Sequence, residues 1–422
     1  IYRQLFSLVF LSNLAIFIWI VVRDRSVVRG ADAAAANFLA CGLARQPLIV
    51  NGFFITLCSI PRSLPLRLRR MAANVYQYGG VHSGCGMASL LWYLGMLGGL
   101  TREFCTATTH ATPSIIALVL AYLIVVLLLA IIAVAYPAFR VRHHNTFELT
   151  HRYGTWAVVA LFLVLLLVFA QASSPNHIGE YLCQRPAFWC VCLAAGALIH
   201  PWTRLRQIPV QCELLSSHAL RLHLPGGTHL GKVITLAQHP LRDWHSFATF
   251  SDASQFPDPS AGSPPPSCSI IVSRAGDWTS ELLVHPPTTL YTRGVQTYGF
   301  TRTMRLFHRI VLVATGSGIG PCLAFLEARQ RPAIKLCWQT RAPEKTYGKE
   351  IWELVHQLDP HPLVVDTDVA GRRVDLVPVV EKLYGWMQAE MVCVVSNQRE
   401  TERMVKALRA RGVYALGPVF DS

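Results

Sequence analysis

The first half of the chain alternates long apolar runs with short basic loops. One run, IIALVLAYLIVVLLLAIIAVAYP, has no charged residue and exceeds the roughly 20 residues that a helix needs to cross a bilayer. Comparable runs lie near residues 4–22, 33–59, 79–99, 112–137, 150–172 and 185–203. The pattern predicts about six membrane-spanning helices in residues 1–205, and it also fits five or seven because Arg45, Gln46 and Pro47 interrupt the second run.

The pattern changes at about residue 206 to short alternating runs with turn signals between them. The segment CELLSSHALRLHLPGGTHLGKVITLAQHP is typical of antiparallel hairpins, and residues 206–305 are therefore predicted to form a small antiparallel β-barrel. The stretch from Ser251 to Ser267 is rich in proline and serine and cannot continue those strands. We expect it to be a mobile loop inserted into the barrel.

From about residue 306 onward, buried strand patterns alternate with helical ones, which predicts an α/β domain in residues 306–422. Its first strand, HRIVLVAT, is followed by a glycine turn and a helix start. The glycines let the main chain turn sharply and approach a ligand, and the free N–H groups of the helix start favour an anion. The candidate residues for a nucleotide pyrophosphate are Gly316, Ser317, Gly318, Gly320 and Pro321. An ordinary strand-to-helix turn is the alternative.

Composition and charge support the membrane interpretation. The 422 residues are 52% hydrophobic and 15% charged, which is too apolar for an ordinary soluble protein of this length. The positive-inside rule places the basic loops PRSLPLRLRR, FRVRHHN and TRLRQ, and with them the C-terminal half, in the cytosol, although Arg23, Arg25 and Arg29 argue for the opposite orientation. Most of the net charge of +14 is attributed to membrane-facing arginines in such loops, so no nucleic-acid partner is expected. Since Ile1 is not a methionine, we expect residues to precede it.

Several motifs in the C-terminal half resemble those of ferric reductases and NADPH oxidases, within the ferredoxin-reductase superfamily. The order Gly-Ser-Gly-Ile-Gly-Pro resembles the nicotinamide-nucleotide loop of that superfamily. The segment DWHSFATF resembles the H-P-F-[ST] flavin motif and implies that Phe247 packs on the isoalloxazine beside His245. Ser246 replaces the proline and Ala248 the hydroxyl residue, which leaves Ser246 or Thr249 to supply the hydroxyl.

The segment SIIVSRAGDWTSEL resembles the IR-x-x-GDWT motif, whose glycine turn and helix start bind the flavin pyrophosphate in the same enzymes. The resemblance implies that Gly276, Trp278 and Thr279 belong to this site, whereas Arg274 stands one position later than the family's arginine. The segment TYGF takes the place of a GPYG turn. The resemblance further implies that Phe420, close to the end of the chain, stacks on the flavin.

The second strand of the α/β domain, AIKLCW, is followed by Gln339, Thr340 and Arg341. A hydroxyl and a guanidinium at this strand end can bind a 2′-phosphate, because arginine offers bidentate donors, and this favours NADPH over NADH. An ordinary charged loop is equally compatible. The third strand ends at Ser396, where the superfamily usually has a cysteine near the hydride path.

Haem ligands are only partly present. Ferric reductases and NADPH oxidases hold two haems between two spans, each of which supplies two histidines. Here His82 opens the third run and His144 and His151 open the fifth, but Met96 and Val164 occupy the outer positions. A single inner haem b on His82 with His144 or His151 is therefore a hypothesis. The alternatives are contact with lipid phosphate or a polar cluster with the glutamate between His144 and His151.

Over nearly its whole length the chain looks most like the fungal membrane flavoproteins of the TmpA type. The resemblance implies a multi-pass α-helical membrane domain (1–205), an antiparallel β-barrel FAD domain (206–305) and an α/β nucleotide-binding domain (306–422). We expect a flavoprotein oxidoreductase in the lipid bilayer that passes hydride from NADPH or NADH to FAD and then electrons to an unknown acceptor. The alternatives are a transmembrane ferric reductase or superoxide-producing oxidase with haem, and a flavin-binding redox sensor without turnover.

Overall fold

Two compact units make up the protein. The computed structural model describes residues 1–23, 26–251, 267–328 and 330–419. The first unit comprises Ile1–Ile49 and Gln77–Thr203, and the second comprises Val50–Tyr76 and Arg204–Ser422. The three predicted domain boundaries stay predictions, but the segment Val50–Tyr76 packs with the C-terminal half, which no pattern in the sequence indicated.

Residues 1–203 are almost entirely helical. Their helices are α1 (Tyr2–Arg23), α2 (Val27–Leu43), α3 (Pro47–Leu57), α4 (Leu66–Ala72), α5 (Gly79–Thr106), α6 (Thr112–Val134), α7 (Pro137–Arg142), α8 (His144–Ser173), α9 (Ile178–Cys183) and α10 (Pro186–Ile199). The core of the first unit lies where α2, α5, α6 and α8 meet. Ala34 and Ala35 are fully buried, so α2 packs closely on α5, and Tyr93 of α5 meets Phe162 of α8 edge-on at 5.6 Å between ring centroids.

Four helical segments of the described residues are long and apolar enough to cross a membrane: α1, α6, α8 and Pro186–Arg204, which contains α10. The predicted second span is not one helix, because α2 and α3 are bent by 66° at the break that includes Arg45 and Gln46; together they would make a fifth span. Helix α5 holds the predicted third span, but its many glycines lower its hydropathy and it is not among these segments. The six predicted spans are thus all helical regions, of which four or five have the required length and composition.

The chain from 206 to 298 folds into short antiparallel strands. They are β1 (Arg206–Pro209), β2 (Gln211–Leu214), β3 (Ala219–Pro225), β4 (Lys232–Ala237), β5 (His245–Ala248), β6 (Phe250–Ser251), β7 (Ser267–Ser273), β8 (Thr289–Thr292) and β9 (Thr297–Tyr298), with α11 (Asp277–Val284) after β7. One sheet has the order β1-β8-β4-β5 with β9 beside β4, and the other has the order β2-β3-β7-β6. Leu220, Leu222 and Leu224 alternate along β3 and share one core with Ile234 and Leu290 of the other sheet. The predicted antiparallel strands are present; their closure into a single barrel stays a prediction.

The loop predicted between Ser251 and Ser267 falls on residues 252–266, which lie outside the described residues. The strands on either side of it, β6 and β7, pair antiparallel, with Phe250 opposite Ser269.

The C-terminal part contains a parallel sheet with the order β12-β11-β10-β13-β14. Its strands are β10 (Arg309–Thr315), β11 (Ala333–Thr340), β12 (Leu363–Asp366), β13 (Met391–Val395) and β14 (Ala415–Leu416), and its helices are α12 (Ile319–Leu323), α13 (Pro343–Leu358), α14 (Val377–Met387) and α15 (Gln398–Ala410). Val311, Leu312 and Val313 are fully buried, as expected for a strand covered on both faces. Helix α13 is interrupted at Gly348, whose φ is +80°. The predicted α/β architecture is therefore observed in this region.

An ion pair fastens helix α4 to the amino-terminal edge of this sheet. The Arg69 guanidinium donates two hydrogen bonds of 2.9 Å to the Glu390 carboxylate, and Glu390 also accepts the main-chain N–H of His308. Arg70 lies over the ring of Tyr414 at 4.6 Å. Two arginines of the basic loop PRSLPLRLRR are therefore structural, and Arg69 is only 5% exposed, which corrects the expectation that such charges face the membrane.

Candidate functional site

The glycine loop lies at the carboxyl-terminal edge of the parallel sheet. After β10 the chain forms a 3-10 turn, Gly316–Gly318, and continues into α12. Gly316 has a φ of +53°, which favours glycine. A Cβ atom added to Gly318 would lie 2.3 Å from the carbonyl oxygen of Val395, so no side chain fits there without displacing the end of β13. A Cβ on Gly320 would lie at an ordinary 3.5 Å from Ile271.

Several side chains hold this loop in place. The indole N–H of Trp338 donates to the carbonyl oxygen of Gly316 at 2.9 Å. The hydroxyl of Ser273 donates to that of Ser317, so a strand of the antiparallel part contacts the loop. Ser396 stands where the superfamily's cysteine was expected, and its hydroxyl hydrogen-bonds Thr315 beside the loop. Sequence reasoning missed Trp338 and Ser273, whose only signal was their position near a strand end.

The two residues predicted to meet a 2′-phosphate have different surroundings. Thr340 is 6% exposed, and its hydroxyl hydrogen-bonds Tyr347, whose pKa burial raises to about 12. The Arg341 side chain is 78% exposed, with its Nε 3.2 Å from a carboxylate oxygen of Asp368. Arg341 is thus open to a ligand, whereas Thr340 is committed to the protein interior.

A second carboxylate lies at the same strand ends. Asp366 accepts the main-chain N–H groups of Ala342 at 3.0 Å and of Asp368 at 2.9 Å. These two hydrogen bonds lower the pKa of Asp366, so it stays ionised near neutral pH. The edge that was predicted to receive a phosphate therefore carries negative charge beside Arg341.

The two motifs assigned to flavin meet in space. His245 and Phe247 alternate along β5 opposite Leu236 and Ile234 of β4, so both rings lie on the same face of the sheet. The Trp278 ring lies 4.3 Å from the His245 ring and 5.7 Å from the Phe247 ring, measured between centroids. The indole N–H of Trp278 is buried and has no hydrogen-bond partner in the described part of the chain. An unpaired buried donor of this kind is a place where a ligand acceptor fits.

The two candidate hydroxyls of this segment differ sharply. Thr249 is fully buried, and its hydroxyl donates to the carbonyl oxygen of Lys232 at 3.1 Å and shares a hydrogen bond with Thr228. Ser246 is exposed on the opposite face of the strand from Phe247 and hydrogen-bonds Thr235 at 3.0 Å. The hydroxyl of Thr249 is thus committed to the fold, while that of Ser246 is accessible.

The segment predicted to bind the flavin pyrophosphate begins helix α11. The Thr279 hydroxyl accepts the main-chain N–H groups of Ala275 at 2.9 Å and of Gly276 at 3.0 Å, and so it stabilises the turn before the helix. A Cβ on Gly276 would meet nothing within 4 Å, and Arg274 is exposed beside it. The turn is therefore open to a ligand. Phe420, the predicted terminal aromatic, lies outside the described residues.

Two of the three candidate haem ligands come together. The rings of His82 and His151 lie 6.1 Å apart between centroids, across the pair of helices α5 and α8. Nδ1 of His82 is 2.9 Å from the carbonyl oxygen of Cys41, and Nδ1 of His151 is buried with no hydrogen-bond partner in the part of the chain that the structure describes. His144 instead contacts Phe147 of its own helix. Within the described ranges, no group of three or more His, Cys, Asp or Glu residues could hold a metal ion directly.

The chain is similar over its whole length to two proteins of the fungus Coprinopsis cinerea. Adenylate-forming reductase 03009 is 37% identical over 430 residues, and adenylate-forming reductase 06235 is 36% identical over 427 residues. Each alignment covers 100% of this chain, which spans only 40% of the length of either relative. A family model described as the C-terminal domain of adenylate-forming reductase 03009 matches residues 300–422.

Solved structures are similar at a lower level. A flavohemoglobin from Malassezia yamatoensis with bound FAD and heme has a TM-score of 0.40 and 12% identity, and the match covers 92% of this chain and 99% of that one. A mutant ferredoxin-NADP+ reductase from Plasmodium falciparum in complex with 2'P-AMP has a TM-score of 0.39 and 10% identity, with 52% and 98% covered.

Proposed function

We propose that this chain is an NAD(P)H-dependent flavin oxidoreductase. The observation that carries the proposal is the glycine loop, in which Gly318 can bear no side chain because the Val395 carbonyl oxygen occupies that space. Such a loop at the carboxyl end of a parallel sheet leaves main-chain N–H groups open to a pyrophosphate. The similarity to reductases along the whole chain supports the same reaction class.

The residues around Trp278 fit a flavin. The unpaired indole N–H, the neighbouring rings of His245 and Phe247, and the open turn at Gly276 offer a donor, an apolar surface and main-chain N–H groups. We propose that the indole N–H of Trp278 supplies a polar contact on this face, whereas the Ser246 hydroxyl lies on the opposite face and Thr249 only supports the strand. When bound, FAD would accept a hydride from the nicotinamide and release electrons singly or in pairs.

The strand ends at Arg341 select the nucleotide in this proposal. The exposed guanidinium can pair with a 2′-phosphate, which supports NADPH. Asp368 competes for the same guanidinium and weakens that preference, so NADH remains a substrate of the proposed enzyme. The hydroxyl of Thr340 takes no part, because it is buried against Tyr347.

The proposed enzyme is a multi-pass membrane protein with its flavin and nucleotide regions in the cytosol. Four or five segments with the length and composition of membrane spans support this location. The names of the relatives suggest that the chain is the reductase portion of a longer protein that also forms adenylates. The electron acceptor is proposed to be reached at the cytosolic surface; ferric reduction, superoxide production and flavin sensing are the alternatives.

The first test is catalytic turnover. The detergent-purified protein, reconstituted with FAD, should oxidise NADPH when ferricyanide is the acceptor, and the Gly318→Ala variant should do so more slowly. Consumption of iron(III) chelate or production of superoxide would favour the reductase and oxidase alternatives. A protein that binds FAD but consumes no NADPH with any of these acceptors would be a sensor and would contradict the proposal.

A single haem is a second candidate, supported by the 6.1 Å approach of His82 and His151. Their imidazoles would hold the haem iron, and the carbonyl oxygen of Cys41 would orient the His82 ring. Haem bands in the purified protein that disappear in His82→Ala and His151→Ala but persist in His144→Ala would support this site. Absence of haem after expression with added haem precursor would exclude it.

A further inference from the structure

A group of basic side chains on the second unit lies close together and forms no ion pair within the part of the chain that the structure describes. This group, the cation cluster, consists of Arg62, Lys232, Arg302 and Arg305. Their hydrogen bonds go to main-chain carbonyl oxygens: Lys232 Nζ donates to Gln296 at 3.1 Å and Arg302 Nη1 to Leu230 at 3.4 Å. Carbonyl dipoles stabilise a cation only in part, and within the cluster the Glu390 carboxylate acts on Arg62, so the charges of Lys232 and Arg302 are compensated least.

Two of these cations flank a single aromatic ring. Lys232 Nζ lies 4.0 Å and Arg302 Cζ 4.2 Å from the centroid of the Tyr298 ring. Burial lowers the pKa of both side chains, and the charge of Arg302 lowers that of Lys232 further. The Nε of Arg302 is buried without a hydrogen-bond partner in the described part of the chain. An anion placed here would gain charge-assisted hydrogen bonds and relieve the repulsion between the cations.

Exposed apolar side chains lie on α3 and α4, the two helices that flank Arg62 in the sequence. The Asn51 side-chain amide hydrogen-bonds the main chain of Gln296 and Tyr298, which ties α3 to the strand that carries Tyr298. Farther along the same segment Leu57 is exposed on α3, and Leu68 and Met71 are exposed on α4. Basic residues beside exposed apolar ones are typical of surfaces that bind anionic membrane lipids. A site for free phosphate needs no such apolar side chains.

We propose that the cation cluster binds the phosphate group of an anionic membrane lipid, with Arg302 and Lys232 as the principal contacts. The proposal rests on the proposed membrane location but not on the flavin chemistry. Charge complementarity selects an anionic headgroup, and the exposed side chains of Leu57 and Met71 favour a ligand with acyl chains over a soluble phosphate.

The test measures lipid retained by the detergent-solubilised chain in native mass spectrometry. Phosphatidic acid and phosphatidylcholine with the same acyl chains are added in equal amounts. We expect phosphatidic acid to be retained preferentially, and its retention to fall at least tenfold in the Arg302→Gln/Arg305→Gln variant. The matched control, Arg372→Gln/Arg373→Gln, removes two exposed charges from another loop and should retain the lipid like the parent.

Three results would overturn the proposal. Equal loss in both double variants would mean that overall charge, not the cluster, attracts the lipid. Equal retention of phosphatidylcholine would remove the role of the anionic headgroup. Displacement of the lipid by millimolar inorganic phosphate would assign the site to a free anion.

If the double Gln variant fails to fold, as judged by circular dichroism, the single variants Arg305→Gln and Arg302→Lys take its place. We expect each of them to retain part of the phosphatidic acid that the parent retains. Reduction of bound flavin by NADPH in the same samples separates this result from the proposed enzymatic function.

Discussion

The two edges of the parallel sheet are built from different kinds of interaction. At the carboxyl-terminal edge, Gly318 lies directly against the main chain of Val395, and the nearby hydroxyls of Thr315 and Ser396 bond each other. At the amino-terminal edge, Arg69 and Glu390 form a two-pronged ion pair with little exposure to solvent. The first edge leaves main-chain groups available for a ligand, and the second joins distant parts of the chain. Function is therefore expected at one edge and stability at the other.

The sharpest test of this division is to break the ion pair. Arg69→Met leaves the buried Glu390 carboxylate without its partner and should lower the free energy of unfolding by about 3–5 kcal/mol. NADPH affinity of the folded fraction should stay unchanged. Denaturant unfolding and nucleotide binding measure the two effects. Arg67→Met, at an exposed position of the same helix, is the matched control and should change stability by less than about 0.5 kcal/mol.

The same ion pair should respond to acid. Burial would raise the pKa of Glu390, but hydrogen bonds from Arg69 and from the His308 N–H outweigh it and lower the pKa overall. A group with a lowered pKa stabilises the fold above its unfolded pKa, about 4.3, and loses that contribution as the pH falls through its folded value. The stability difference between the parent and Glu390→Gln should therefore shrink below about pH 4. A difference that grows with acidification would contradict the ion pair.

Unlike the ion pair, the glycine loop should affect NADPH binding as well as stability when it is altered. Gly318→Ala forces a Cβ into the Val395 carbonyl, and overpacking of this kind costs about 1–3 kcal/mol. Because the loop must shift, NADPH affinity should fall about tenfold, equivalent to about 1.4 kcal/mol. Gly320→Ala in the same loop has ordinary space for its methyl group and should bind NADPH like the parent. Equal effects of the two substitutions would argue against the observed loop conformation.

The flavin segment extends the comparison to the antiparallel sheets. Thr249→Val removes a buried hydroxyl that bonds Thr228 and the Lys232 carbonyl, and should lower stability by about 1–2 kcal/mol. Ser246→Ala should leave both stability and FAD binding nearly unchanged, because its hydroxyl is exposed on the face opposite to His245 and Phe247. Thermal unfolding and fluorescence titration with FAD distinguish the two. Loss of FAD affinity in Thr249→Val with normal stability would mean that the Thr249 hydroxyl binds the flavin and does not stabilise the fold.

The smallest effect is expected at the nucleotide-selecting strand ends. Arg341→Gln should raise the KM for NADPH about threefold, or about 0.65 kcal/mol, and leave that for NADH unchanged. Asp368→Asn frees the guanidinium and should shift the preference toward NADPH. Steady-state kinetics with both nucleotides measure this. Equal changes in the KM for NADH and NADPH in either variant would show that Arg341 does not bind the 2′-phosphate.

The carboxyl-terminal edge could be predicted from sequence because its information is local. Gly316, Gly318 and Gly320 follow a buried strand within a few residues, and the sharp turn that they permit is recognisable from the glycines themselves. The amino-terminal edge could not, since Arg69 and Glu390 lie 321 residues apart and nothing in a single chain pairs them. Because this pairing is not visible in the sequence, PRSLPLRLRR is predicted there only as a basic cytosolic loop.

Side-chain orientation set a second limit on prediction. The flavin motif has His245 and Phe247 two residues apart on one strand, so strand alternation alone puts their side chains on one face. The motif did not reveal that Thr249 is buried in hydrogen bonds, and nothing at the end of β11 indicated that Thr340 bonds Tyr347 of α13, since each contact depends on how neighbouring elements pack. In the helical half, the interruption at Arg45 and Pro47 did mark the bend between α2 and α3.

The most direct test of the central claim is an anaerobic absorption spectrum of the detergent-purified protein before and after NADPH. The account predicts flavin bands in the protein as isolated or after incubation with FAD, and their bleaching on addition of NADPH. A protein that takes up no flavin under these conditions would contradict the account.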